Sequence, residues 1–184
     1  MQIAERMHTT GQPRPRTALV LTLMLVASLL VAGVWFRLHT TAGPLGPSEY
    51  EIGSMVGIPA NVGDRVAAGL FAPVNASSGA LVIDSIAPDA VPPGLRVLGY
   101  RVTQAGIGSA RAFPPAGVPG DAVRGWVVQP GHGVNFVIGL EPLRDGTFTI
   151  PGFTVRYHEG WHRYTVHYGQ AVRICAPLAA IKNC

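Results

Sequence analysis

Three histidines near the C-terminal end of the chain come closest, by residue type and spacing, to a metal site. His158, His162 and His167 lie around the dipeptide Gly160-Trp161. A zinc site needs three or four ligands that converge at about 2.0–2.3 Å from the metal. If the dipeptide is the turn of a β-hairpin, His158 and His167 lie on one face and His162 on the other. We keep the three as a candidate copper or zinc site, although the alternation favours exposed surface histidines.

The sequence contains few residue patterns that are typical of a catalytic site. The sequence contains no G-x-S-x-G nucleophile elbow, no phosphate-binding P-loop and no G-x-G-x-x-G fingerprint. The glycine-rich string 106–109 lacks the lysine and the strand-to-helix context of a phosphate loop. Asp84 with Asp89, and Glu141 with Asp145, have the positions of strand-end and turn acids. We predict that the protein is not an enzyme and uses no cofactor. The alternative is an enzyme whose site assembles from residues distant in sequence.

The segment 104–121 is the connection best suited to binding. Its eighteen residues include four glycines and three prolines, and connections longer than about 12–15 residues are usually functional or disordered. Arg111 and Phe113 form a candidate anchor pair, because arginine and aromatic residues dominate interface hot spots. The interpretation that the composition favours is a mobile surface loop with a partly buried Phe113.

Cys175 and Cys184 are the only cysteines of the chain. They are predicted to form a structural disulfide, because both lie in the part of the chain expected outside the cell, where disulfides persist. Such a bridge would close a loop of ten residues and hold the C-terminus against the last strand. A free thiol or an intermolecular bridge is the alternative.

Residues 18–36 form an apolar run of nineteen residues without charge. A helix of this length spans about 28 Å, close to the hydrocarbon core of a bilayer. Three arginines precede the run and Arg37 follows it, so the positive-inside rule places residues 1–17 in the cytoplasm. We predict a single-pass anchor in the cell membrane, with the lipid bilayer as its partner. The alternative is a cleaved signal peptide, which would export the same domain.

Charge excludes one large class of partner. Charged residues make up 13% of the chain, about half the usual share. Residues 1–37 contain four arginines and one glutamate, whereas the remaining residues carry a net charge of only +1. Nucleic-acid binding needs cations clustered on one face. The exported part shows no such run in its sequence, so nucleic acid is not expected as a partner.

The elements that position these residues are predicted to be β-strands. Residues 37–63 are rich in Gly and Pro and are expected to form a stalk. Residues 64–184 are expected to form the extracytoplasmic domain, because apolar residues alternate there with a period of two. The strands drawn from this pattern are 65–72, 80–86, 95–103, 122–129, 134–141, 146–157 and 161–175. About seven short strands predict an all-β, immunoglobulin-like β-sandwich, with a small antiparallel β-barrel as the alternative.

Two local features refine this prediction. The apolar residues of segment 146–157 change parity at Pro151-Gly152, and a one-residue β-bulge there would return them all to one face. In the following hairpin, a turn at Gly160-Trp161 pairs Tyr157 with Tyr164. A turn one residue earlier would instead set Arg156 opposite Arg163, and like charges facing each other destabilise a pair. The first register is therefore predicted, with glycine first in a type II′ turn.

The layout of anchor, stalk and exported domain resembles that of uncharacterised bacterial single-pass membrane proteins of the actinobacterial type. The resemblance covers the whole chain but rests on layout and composition, so it transfers no functional residues. The combination of anchor, stalk, β-sandwich and long connection, without a catalytic motif, predicts a membrane-anchored, extracytoplasmic interaction module with an envelope protein as its expected partner. A small-ligand or metal-binding envelope domain is the alternative.

Overall fold

The computed structural model describes residues 24–31, 43–46, 54–104, 106, 108–115, 122–179 and 184. It consists of two units, Met1–Arg37 and Leu38–Cys184. In the first unit, residues 24–31 form a helix with exposed side chains. No helix within the described residues is both long enough and apolar enough to cross a membrane. Most of the predicted span 18–36 lies outside the described residues.

The described part of the second unit is built from β-strands, which confirms the predicted all-β class. Its strands are β1 (Met55–Pro59), β2 (Val66–Gly69), β3 (Leu81–Pro88), β4 (Leu95–Thr103), β5 (Ser109–Ala110), β6 (Val127–Val128), β7 (Asn135–Pro142), β8 (Gly146–Ile150), β9 (Phe153–Glu159), β10 (His162–Tyr168) and β11 (Ala171–Ala176).

These strands form three sheets. Two have four strands, in the orders β10-β9-β3-β6 and β4-β7-β2-β5, and the third has the order β1-β11-β8. The pairing of β1 with β11 is parallel, whereas the other pairings of the described strands are antiparallel. In the described part of the chain the sheets are open and do not close into the alternative barrel.

Aromatic rings fill the space between the two four-stranded sheets. The Phe71 ring stacks on Tyr168 of β10 at a centroid distance of 3.9 Å and lies 5.2 Å from Phe136 of β7. Phe153 of β9 lies 6.2 Å from the same ring. Because the strands alternate, each sheet turns one apolar face toward these rings and the other face away. The two sheets therefore pack face to face, as in a β-sandwich.

The chain changes sheet at Pro151-Gly152, where a bulge was predicted. β8 pairs with β11, whereas β9 pairs with β10 and β3, so the predicted single strands 146–157 and 161–175 are each two strands in different sheets. Pro151 has no N–H to donate, and a Cβ on Gly152 would lie 2.8 Å from the Tyr168 carbonyl oxygen. The change of sheet has the result that the predicted bulge required, because the apolar residues around this corner are all buried. They are Phe148, Ile150, Phe153, Val155 and Tyr157.

The β9–β10 hairpin has the predicted register. Tyr157 pairs with Tyr164 and Val155 with Val166. Gly160 has a φ of 54°, and no described residue other than glycine has a positive φ. A positive φ at the first turn position alone is the pattern of a type II′ turn.

The predicted stalk is wrong for two of its segments, which belong to the folded domain. Leu45 is only 1% exposed. Its N–H donates to the Tyr157 hydroxyl at 3.0 Å, and its carbonyl accepts a bond from the Tyr168 hydroxyl at 3.3 Å. Strand β1 lies in a sheet beside β11. The folded domain therefore begins before residue 64.

The predicted disulfide is confirmed. Cys175 in β11 is bonded to Cys184, with the two Cα atoms 5.7 Å apart. A Cβ on Gly57 of β1 would lie 3.1 Å from the Cys184 carbonyl oxygen. The bridge therefore holds the end of the chain against the parallel pair β1–β11.

Candidate functional site

One face of the β10-β9-β3-β6 sheet points away from the aromatic core. Because side chains alternate along a strand, the residues next to the buried Val155 and Tyr157 point outward. None of these outward side chains is buried, and most of them are polar. They are Val82, Ser85 and Ala87 on β3; Thr154, Arg156 and His158 on β9; and Arg163, Thr165 and His167 on β10.

A β-bulge in β3 changes the direction of this face. Ile83 pairs with Tyr157 and Ser85 with Arg156, so Asp84 has no partner residue in β9. A bulge bends the strand and turns a side chain to a new direction. One Asp84 carboxylate oxygen lies 2.9 Å from Nδ1 of His158. The bulge therefore places the Asp84 carboxylate on the outer face, where it contacts a histidine.

Three arginines, two from the β9–β10 hairpin and one from a distant turn, surround a partly open cleft on this face. Arg156 comes from β9, Arg163 from β10, and Arg124 from the turn that leads to β6. The Gly125 N–H donates to the Ile83 carbonyl at 2.8 Å, which fixes that turn against β3. The cleft has a volume of about 730 Å3 and is lined by Asp84, Ser85, Arg124, Arg156, Tyr157, Arg163, Tyr164 and Thr165.

The charges that line the cleft do not balance. Three guanidinium groups face one carboxylate. Arg124, Arg156 and Arg163 form no ion pair and no side-chain hydrogen bond with any residue that the structure describes. By contrast, Arg96 on β4 lies 2.6 Å from both carboxylate oxygens of its cross-strand neighbour Glu141. The cleft therefore presents hydrogen-bond donors and positive charge to the solvent.

The inner side of the hairpin carries two stacked tyrosines. The rings of Tyr157 and Tyr164 stack at a centroid distance of 5.2 Å. Burial raises the pKa of Tyr157 to about 12, although the hydrogen bond from Leu45 opposes the shift. Burial, followed by the charge of Glu159, also raises the pKa of Tyr164. Both hydroxyls stay protonated at neutral pH, so they add no negative charge beside the arginines.

A guanidinium group binds carboxylates and phosphates well because its donors form a planar fork that matches two oxygens at once. Three such groups around one cleft are suited to an anion with more than one oxygen. Trp161, at the tip of the same hairpin, is 92% exposed. Exposed tryptophan beside arginine is typical of binding surfaces.

The predicted metal site of His158, His162 and His167 is not formed. His158 contacts Asp84, and Nδ1 of His167 lies 3.3 Å from a carboxylate oxygen of Asp89. His167 in β10 pairs with Thr154, which lies four residues before His158 in β9. The two histidines are therefore about 13 Å apart along the hairpin. His162 has the opposite parity, and its ring centroid lies 6.5 Å from that of Tyr164. No group of three metal-ligating side chains occurs among the described residues.

Residues 158–162 also have the order H-E-x-x-H, which holds zinc when both histidines lie on one face of a helix. Here the five residues form the tip of a β-hairpin, with His162 paired to Glu159. In the hairpin, His158 pairs with Arg163 and His162 pairs with Glu159. The two histidines therefore lie at different cross-strand pairs and on opposite faces of the sheet. The motif therefore lacks the geometry that its chemistry needs.

Arg111 and Phe113, the candidate anchor pair, do not form a joint binding surface. Arg111 is exposed, but Phe113 is only 9% exposed. Its ring packs with Ala67 and Val137 in a small cluster on the side of the sheet away from the main core. A Cβ on Gly139 would overlap this ring. The Phe113 ring therefore packs on the backbone of Gly139, where no side chain is present. Its role is structural.

Sequence reasoning missed the arginine cleft, although part of the signal was visible. The predicted hairpin register already put Arg156 and Arg163 on the same face. The observed register sets Arg156 opposite Thr165 and Arg163 opposite His158, so the two arginines are diagonal neighbours. Arg124 could not be found this way, because only the pairing of β3 with β6 brings it to the cleft.

Comparison with known proteins assigns no family. No protein-family model matches the chain, and no curated protein matches it. Among solved structures, 72% of this chain aligns with 32% of the VesB protease of Vibrio cholerae, with a TM-score of 0.41 and 9% identity. The ASH/PapD-like domain 7 of human CEP192 aligns over 94% of this chain and 98% of its own, also with a TM-score of 0.41 and 9% identity.

A family 123 glycoside hydrolase from Clostridium perfringens aligns with 67% of this chain and 24% of its own, with a TM-score of 0.31 and 9% identity. The chain thus spans about a third of the protease and a quarter of the hydrolase. Likenesses this distant assign neither a family nor an activity to the chain.

Proposed function

We propose that this protein is a membrane-anchored, extracytoplasmic binding module without catalytic activity, whose arginine cleft takes an anionic group of a partner. One observation carries the proposal: three arginines without ion-pair partners among the described residues surround one cleft that holds a single carboxylate. An isolated exposed arginine needs no explanation. Three that converge from β9, β10 and the turn before β6 keep like charges together, which an anionic ligand would offset.

The membrane anchor and the exported location belong to the same proposal. They are supported by the apolar run 18–36, with three arginines before it. The disulfide between Cys175 and Cys184 favours an oxidising compartment. The immunoglobulin-like class is likewise proposed, on the grounds that short, mainly antiparallel strands pack in facing sheets. In this arrangement the domain would meet envelope proteins or ligands outside the cytoplasm.

The alternative is a domain for a small free anion. The cleft volume of about 730 Å3 favours it, because pockets for small ligands measure about 300–1,000 Å3. The partly open shape of the cleft and the exposed Trp161 at the tip of the same hairpin favour a macromolecular partner instead. A small anion that bound as tightly as any larger one would support the alternative.

The test is a calorimetric titration of the full-length protein in a neutral detergent with inorganic tripolyphosphate. We expect binding that weakens between about 30 mM and about 300 mM NaCl, because exposed charges are screened by salt. The double variant Arg156→Gln/Arg163→Gln is expected to bind at least about tenfold more weakly, since two charged hydrogen-bond donors are lost.

Arg111→Gln is the matched control, because it removes an exposed positive charge outside the cleft. Its affinity is expected to equal that of the unmodified protein. Equal losses in the control and the double variant, or no binding at all, would contradict the proposal.

A further inference from the structure

Strand β10 lies at the edge of its sheet, next to the cleft. The sheet order is β10-β9-β3-β6, so β9 occupies one side of β10. On the other side, residues 162–167 have no strand partner within the described part of the chain. Six residues of strand extend about 20 Å. An edge of this length is a template for one more strand, and natural proteins usually block or use such edges.

The side chains of β10 define what such a strand would meet. Arg163, Thr165 and His167 point to the outer face, and the first two line the cleft. Tyr164 and Val166 point to the inner side and are half buried. A strand added beside β10 would alternate in the same way. Its outward side chains would lie beside Arg163 and near Arg156, and its inward ones beside Tyr164 and Val166.

We propose that the edge of β10 binds an extended acidic segment of a partner protein as an additional strand. The segment would carry acidic residues at alternate positions, facing Arg163 and Arg156, and apolar or small residues between them. Main-chain hydrogen bonds would supply affinity, and the alternating side chains would supply specificity, as in other cases of strand addition. This inference rests on the proposed function and names the partner of the same site.

Charge complementarity favours this occupant over a second copy of the chain. The outward positions of β10 hold an arginine, a threonine and a histidine, and none of them is acidic. An antiparallel pair of two β10 strands centred on Thr165 would set Arg163 opposite His167 of the other copy. That pairing would leave Arg163 without an acidic partner. A strand with an acidic residue at the facing position would supply one, so Arg163 favours an acidic strand over a second copy.

The probe is a capped heptapeptide in which glutamate alternates with valine and threonine, titrated into the full-length protein in a neutral detergent. The comparison peptide has the same composition with its glutamates grouped at one end. We expect the alternating peptide to bind at least about tenfold more tightly, because it alone can place its charges on one face of a strand. Arg163→Gln is expected to remove most of this difference, and Arg111→Gln none of it.

Two N-methylated forms of the alternating peptide test the main-chain bonds. Alternate residues of a strand point their N–H groups to opposite edges. N-methylation of one parity should therefore abolish binding, whereas N-methylation of the other parity should preserve it. Hydrogen exchange of the amides in residues 163–167 should slow when the unmodified peptide binds, as expected for newly paired edge groups.

The outcomes separate the two proposals. If the alternating and grouped peptides bind equally, or both N-methylated forms bind, strand addition is wrong while anion binding by the cleft stands. If tripolyphosphate binds and neither peptide does, strand addition is again wrong. If tripolyphosphate also fails to bind, the proposed function itself is contradicted.

Discussion

The loop around Phe113 and the outer face of the β9–β10 hairpin contain the same kinds of residue but differ in what covers them. Each combines arginine with an aromatic side chain. In the loop, Phe113 is buried over Gly139. In the hairpin, Trp161 is 92% exposed and Arg163 lines an open cleft. Residue type alone therefore does not identify a binding surface, since packing decides which aromatic ring belongs to the fold and which can meet a partner.

Truncation of Phe113 should produce the largest effect on stability. We expect Phe113→Ala to lower the free energy of unfolding by about 3 kcal/mol, because a buried ring is lost and a cavity remains. The check is urea denaturation of the full-length protein. Trp161→Ala is the matched control and should change the midpoint little, because its ring is 92% exposed. Similar losses of unfolding free energy in both variants would contradict the conclusion that Phe113 belongs to the packed fold and Trp161 does not.

The contact of Phe113 with Gly139 can be tested by a double-mutant cycle. A Cβ at residue 139 would overlap the Phe113 ring, so Gly139→Ala is expected to cost about 1–3 kcal/mol through overpacking. In the Phe113→Ala background the same change should cost much less, because the space is then free. Additive losses in the double variant would show that the glycine serves another purpose.

The inner side of the hairpin should respond to alkaline pH. The pKa of Tyr157 is raised to about 12 by burial, whereas an unfolded tyrosine has a pKa of about 10. The folded state thus favours the protonated form. This stabilisation is complete below about pH 10 and is lost as the pH rises through about 12. Unfolding followed by circular dichroism between these values should show the decline.

Tyr100 provides the matched comparison. Burial raises its pKa to about 12 as well, but its hydroxyl has no hydrogen-bond partner among the described residues. Tyr157→Phe should cost about 1–2 kcal/mol at neutral pH, because the Leu45 N–H loses its acceptor. Tyr100→Phe should be neutral or stabilising at the same pH. In each variant, the loss of folding stability between about pH 10 and about pH 12 should be smaller than in the unmodified protein. A larger loss for Tyr100→Phe would contradict the assignment of the two hydroxyls.

Local alternation was enough to predict several features of the fold. It gave the all-β class and the pairing of Tyr157 with Tyr164. These depend on side-chain parity and on repulsion between like charges, which act within a few residues. The disulfide was also predictable, because the chain contains only two cysteines.

Features that depend on distant contacts could not be predicted in this way. The burial of Leu45 depends on the hydroxyls of Tyr157 and Tyr168, more than a hundred residues away. Its surroundings resemble a linker because glycine and proline serve turns and linkers alike. The change of sheet at Pro151-Gly152 and a bulge at that position both satisfy the same parity pattern. Only the partners of β8 and β9 distinguish the two.

Whether the arginine cleft is the binding site can be read directly from a footprint of the bound anion on the full-length protein. Hydrogen exchange with and without tripolyphosphate would report which amides it protects. We expect slower exchange in β9, in β10 and near Arg124, and no change in residues 109–115. Protection of residues 109–115 in place of the hairpin would contradict this expectation and would return the binding surface to the loop that contains Arg111.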